Sequence, residues 1–250
     1  LLTTMALIHQ REVRLPNQRV KLYKLAVENL LQRWQRRKFK VSEGLERVLS
    51  DDRRLRKIVE RIAYESLRVR NTSTAQGRKR SDDDEESGDL RRGALLELLE
   101  DPLYLPEVGL PDEFLNYIDQ RAGLLVGKGG GDDGGAGQHP ERRPLSYHFP
   151  HRTFQEYLAG CYLVSLPDVA EEYWQHAELG DGWDLAAQLG GEELYYNSSS
   201  GANTLLPVLY HLCPSDMPQN KDDWRRLLWS AQLATLFNPV EIERHKRGAE

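Results

Sequence analysis

The sequence predicts a mainly α-helical fold with one small two-stranded β-hairpin, on three observations. Apolar residues recur every three or four positions through Val20, Tyr23, Val27, Leu30, Leu31 and Trp34, and again through Leu55, Ile58, Val59, Ile62, Ala63 and Leu67, as on one face of a helix. Alternation of apolar and polar residues is confined to the short run 145–149, with residues 124–126 as its candidate partner. Directly after that run the period changes, and Phe154, Leu158, Cys161 and Tyr162 again follow helical spacing.

Each element has its own local reason. Leu15-Pro16-Asn17 makes a turn, with proline placed at the first turn of a helix reaching Trp34; Arg36, Arg37 and Lys38 then complement the negative pole of that helix. The second helix runs from about residue 52 to 68, with Asp51 or Asp52 as its cap. Residues 71–90 contain basic and acidic blocks and almost nothing apolar, which reads as a disordered insertion. Helices resume at 93–100 and 111–121, the latter bounded by Pro111 and Gly123. The glycine-rich stretch 127–144 is then a loop between the two strands. Thr153, followed three places on by Glu156, is a capping box that opens the last helix of this block. Helix, helix, helix, hairpin, helix is the order of a winged helix over residues 46–165, the hairpin being the wing. Residues 1–45 precede it as the end of a helical segment. Residues 166–250 hold apolar clusters around Trp174, Trp183, Leu205 and Trp224, as stacked helix pairs would.

Composition narrows the function classes. Hydrophobic residues are 39% and charged residues 29%, and mean hydropathy is −0.64, so no run approaches the roughly 20 apolar residues of a membrane-spanning helix. The net charge of −5 gives no general reason for a nucleic-acid partner. Cys161 and Cys213 both lie in apolar patterns and read as buried thiols in a reducing, cytoplasmic setting. The chain opens in mid-pattern on Leu1, as a piece of something longer would.

His151 and Arg152 stand immediately before the helix that Thr153 opens. A helix start with two basic side chains is a candidate anion site, because its first amides lack intrahelical partners. Phe149-Pro150-His151-Arg152-Thr153-Phe154-Gln155-Glu156-Tyr157-Leu158-Ala159 resembles the winged-helix segment of NACHT-family STAND ATPases, the signalling group that includes the NOD-like receptors. Leu1-Leu2-Thr3-Thr4-Met5-Ala6-Leu7-Ile8-His9, with Arg14-Leu15-Pro16 and Leu30-Leu31-Gln32-Arg33-Trp34, is similar to the block that closes the family's first helical domain. Arg121-Ala122-Gly123-Leu124-Leu125 matches the entry to its wing. The resemblance covers about residues 1–165. It implies the regulatory portion of an ADP-off, ATP-on signalling switch in defence or signal transduction, with self-assembly on activation. It implies that His151 contacts the β-phosphate of ADP, with Arg152 assisting, and that an upstream nucleotide-binding core, with its magnesium, works in cis.

Other chemistry fails on context. Gly129, Gly131 and Gly134 satisfy G-x-G-x-x-G, but Gly135-Ala136-Gly137-Gln138-His139-Pro140 cannot begin the required helix. Gly127-Lys128 is followed by glycine where a phosphate loop needs serine or threonine, so neither Walker motif is present and the chain should not be catalytic alone. His148, His151 and Cys161 match no zinc spacing, and Ser198-Ser199-Ser200-Gly201 has no nucleophile frame. Two other functions remain as alternatives: a helical interaction scaffold, and a DNA-binding winged helix. The second is disfavoured because residues 111–121 carry three carboxylates against one arginine, which would repel phosphates.

Overall fold

The computed structural model describes residues 16–35, 41–75, 89–105, 107–119, 124–129 and 143–238, with the side chains of 33–35 and 72–75 excepted. Among these residues it is mainly helical, with a small three-stranded antiparallel sheet. The helices are α1 (Arg19–Gln35), α2 (Glu43–Ser50), α3 (Asp52–Ala75), α4 (Arg92–Leu99), α5 (Leu110–Asp119), α6 (Arg152–Leu163), α7 (Val169–Glu178), α8 (Asp184–Asn197), α9 (Gly201–Leu212) and α10 (Lys221–Ala234). A single 3-10 turn, Asp181–Trp183, joins α7 to α8. The strands are β1 (Leu90–Arg91), β2 (Val126–Lys128) and β3 (Ser146–His148), in the order β1-β3-β2.

The helical periodicity translates directly into burial. Val20, Val27, Leu30 and Leu31 of α1 and Leu55, Ile58, Val59, Ile62, Ala63 and Leu67 of α3 all enter the core. Asp51 caps α3 as expected, its carboxylate accepting from the amides of Arg53 (3.1 Å) and Arg54 (3.0 Å). The basic end after α1, the loop tip and residues 239–250 lie outside the described residues, as do 1–15 with the Leu1–His9 part of the first block of the NACHT resemblance. The side chain of Trp34 does too.

The small sheet and the segment before it differ from expectation in three ways. It has a third strand: Leu90 pairs with Tyr147 and is 5% exposed. Residues 71–75 continue α3. The segment 71–90 is therefore structured at both ends, because extending an existing helix needs no new nucleus and Leu90 gains a buried site beside Tyr147. Its middle, 76–88, lies outside the described residues. The first hairpin strand is centred on Gly127 rather than Leu125, since Val126 pairs with His148 while Leu124 and Leu125 bury themselves just before the ladder.

One helix was not expected from the sequence. In α2, Leu45, Val48 and Leu49 face the core while Ser42 Oγ accepts from the amide of Leu45 at 3.1 Å.

Every apolar cluster beyond residue 165 falls within a helix, the 3-10 turn or the turn that ends α10. α6 is the central element, lying against α3 on one side and α8 on the other. The α6–α8 crossing is close because a Cβ at Gly160 would run into the carbonyl of Ala186, and one at Gly190 would approach Gly160 O to 2.6 Å. Between α7 and the 3-10 turn, Gly180 takes φ 108°, a backbone conformation that suits glycine. Cys161 is buried in α6, but Cys213 is exposed, contrary to the expectation of two buried thiols. It caps α9, where Pro214 follows and the chain has already left the packed face.

Candidate functional site

The site is built where β3 hands over to α6. After His148 the chain passes through Phe149 and Pro150, and His151 takes an extended conformation (φ −123°, ψ 106°) as the N-cap. Its carbonyl accepts from the amides of Phe154 (3.0 Å) and Gln155 (3.3 Å), which starts the helix one residue earlier than expected. The amides of Arg152 and Thr153 have no acceptor among the described residues, and the His151 side chain does not cap them.

The capping box of Thr153 and Glu156 does not form. Glu156 is buried (3% exposed) and receives Arg152 Nε at 2.8 Å, with Arg70 of α3 3.6 Å from the same oxygen. Two guanidinium groups hold a carboxylate more strongly than one backbone amide does, so Glu156 turns along the helix instead of back towards its start.

His151 is exposed and rests edge-on against Phe154, with ring centroids 5.7 Å apart. Phe154 is buried and in turn meets Tyr23 of α1 edge-on at 6.2 Å. The imidazole thus sits at the end of a row of edge-on aromatic rings joining α1 to α6. Partial desolvation of the ring lowers its pKa, so at neutral pH it is mainly uncharged and offers one N–H donor. Arg152 is mostly exposed, but its Nε is committed to Glu156. The two candidate residues therefore differ. His151 presents its ring at the helix start, whereas Arg152 leans back along α6.

Beneath the site runs a polar seam that pattern reading missed. Arg56 of α3 pairs with Glu60 at 2.7 Å and donates to Tyr157 Oη at 3.0 Å, while Tyr157 donates to Glu193 of α8 at 2.9 Å. Arg61 meets Glu65 (2.8 Å) and Tyr162 Oη (2.6 Å), and Gln155 donates to Ser66 at 2.8 Å. The available signal was Arg56/Glu60 and Arg61/Glu65, two i,i+4 pairs beside an apolar stripe. Burial raises the Glu60 pKa despite its partner and pushes the Cys161 thiol well up, so Cys161 is not a reactive thiolate.

α5, the helix that would enter a DNA groove, has no exposed residue. Its Asp112 is engaged by Arg92 at 2.6 Å and its Glu113 by the amide of Ser42 at 2.7 Å. Among the described residues no group of three or more histidines, cysteines or carboxylates is disposed to hold a metal, and no helix is long and apolar enough to cross a membrane.

No family model, curated protein or solved structure matches this chain.

Proposed function

We propose that this chain is the regulatory winged-helix and helical portion of a nucleotide-dependent signalling switch of the NACHT type, closed with ADP and released with ATP. The observation that carries this reading is the start of α6, where an exposed imidazole is fixed on Phe154 beside the amides of Arg152 and Thr153. Such a start favours an anion through its amides and the positive pole of the helix. The residues fit one phosphate group of ADP; the base, the ribose and the magnesium belong to the upstream core that this reading requires. Assembly with further copies would follow release.

A hydrogen bond to a charged phosphate is worth about 1.5–3 kcal/mol. Made in one state only, it shifts a two-state equilibrium by about ten- to a hundredfold. Arg152 contributes less, because binding phosphate would require it to leave Glu156.

The scaffold reading has one observation in its favour: α3, α6 and α8 pack as a continuous unit. The DNA reading is weakened further by the enclosure of α5. The deciding experiment is His151→Ala in the longer protein that includes the nucleotide-binding core. The switch reading expects loss of retained ADP and raised basal signalling; unchanged retention and signalling would favour the scaffold.

A further inference from the structure

His176 lies outside the nucleotide site, and its surroundings are more demanding than those of any other described histidine. The ring is 4% exposed, buried between α7, α3 and the 3-10 turn. Trp183 meets it edge-on at 4.4 Å and Tyr64 at 5.6 Å, with Tyr64 and Trp183 themselves 5.2 Å apart. Both ring nitrogens are engaged. Nδ1 lies 2.6 Å from the carbonyl of Glu172, which can only accept, so Nδ1 carries the proton. Nε2 is then the lone-pair nitrogen and accepts from Tyr64 Oη at 2.8 Å. The geometry specifies a neutral imidazole in one tautomer.

We propose that His176 is a pH-sensitive latch: neutral, it pins α7 and the 3-10 turn onto α3, and protonation releases that corner while α3, α6 and α8 stay packed.

A second proton on Nε2 would point at the Tyr64 hydroxyl hydrogen. That hydroxyl must then turn over and stop donating, and a cation is left in an aromatic pocket. The titratable and charged groups against the ring are Tyr64 of α3 and Glu172 of α7, and around Tyr64 in turn lie Arg61 and Glu65 of α3 and Tyr162 of α6. The Arg61 guanidinium, 5.7 Å from the Tyr64 ring, opposes a new positive charge. The half-buried Glu172 carboxylate, 3.6 Å from Nδ1, favours one. Burial outweighs the hydrogen bond to the Glu172 carbonyl, which favours the charged form, and the His176 pKa is lowered. Release stays local because α6 and α8 interlock through Gly160 and Gly190, away from this ring.

This inference does not depend on nucleotide. It is tested by hydrogen exchange on the full chain at about pH 7.5 and 5.5, corrected for the intrinsic pH dependence of exchange. Residues 169–183 should lose protection at the lower pH, while 154–163 keep theirs. His176→Gln, which cannot take up a proton, should show no acid-dependent loss. A ring titration of wild-type His176 by NMR serves if that variant does not fold, and should fall below the ordinary value of about 6.5. Equal acid loss in His176→Gln, or a ring titrating at or above that value, overturns the latch.

Discussion

Arginines hold two seams of this molecule, but their partners differ. Between α3 and α6, the carboxylates that answer Arg56 and Arg70 are buried as well: side chains of Glu60, Glu156 and Glu193 are 10%, 4% and 15% exposed. Between α10 and α7, Arg225 and Arg226 are more deeply buried (6% and 8% exposed, against 19% and 14% for Arg56 and Arg70), yet they bond Asp181 and Glu178, which are 70% and 52% exposed. Arg226 also stacks on Trp174, 3.7 Å from its centroid, and Arg225 donates to Ala177 O at 2.8 Å. The difference follows from charge. Residues 41–75 hold eight lysines and arginines against six carboxylates, whereas residues 166–238 hold eleven carboxylates against three cations, so the second seam has acidic partners to spare at the surface. A charge pair enclosed on both sides leaves a stranded ion when one member is removed; a half-solvated pair does not.

Glu156→Ala should therefore have the largest effect, about 3–5 kcal/mol in chemical denaturation, because it removes the buried carboxylate opposite the Arg70 cation. If Asp181→Ala costs as much, the contrast between the seams is wrong. Gly160→Val should cost about 3 kcal/mol by forcing α6 off the Ala186 carbonyl, again by denaturant midpoint. Arg225→Met keeps the packing but leaves Ala177 O without its donor, for about 1–2 kcal/mol. Arg47→Ala, which breaks the exposed pair with Glu107, should stay below about 1 kcal/mol. The pH dependence sharpens the comparison differently. The folded-state pKa of His176 is depressed, so its contribution is present above the ordinary histidine value of about 6.5 and lost as pH falls through the folded value. Thermal midpoints should fall on the acid side in wild type, and less in His176→Gln.

The sequence made the helices legible wherever one apolar stripe met one core, as in α1, α3 and α6. It hid β1 because a two-residue strand has no period to read, and Leu90 stands alone beside a charged segment. It hid the failed capping box for a different reason. Thr153 and Glu156 have the required spacing, but Arg70, 86 positions upstream of Glu156, decides where that carboxylate turns. Long-range electrostatics cannot be read from local spacing. His151 was legible as the residue before a helix, whereas its support on Phe154 and Tyr23 required the α1–α6 packing.

The central claim is that His151, and not its neighbour, makes the phosphate contact. The most direct measurement is the dissociation rate of fluorescent ADP from a protein that joins this chain to the upstream nucleotide-binding core the proposal requires. His151→Ala should release ADP about ten- to a hundredfold faster, from the loss of one charge-assisted bond. Arg152→Ala should remain close to wild type. Unchanged release in His151→Ala would contradict the account.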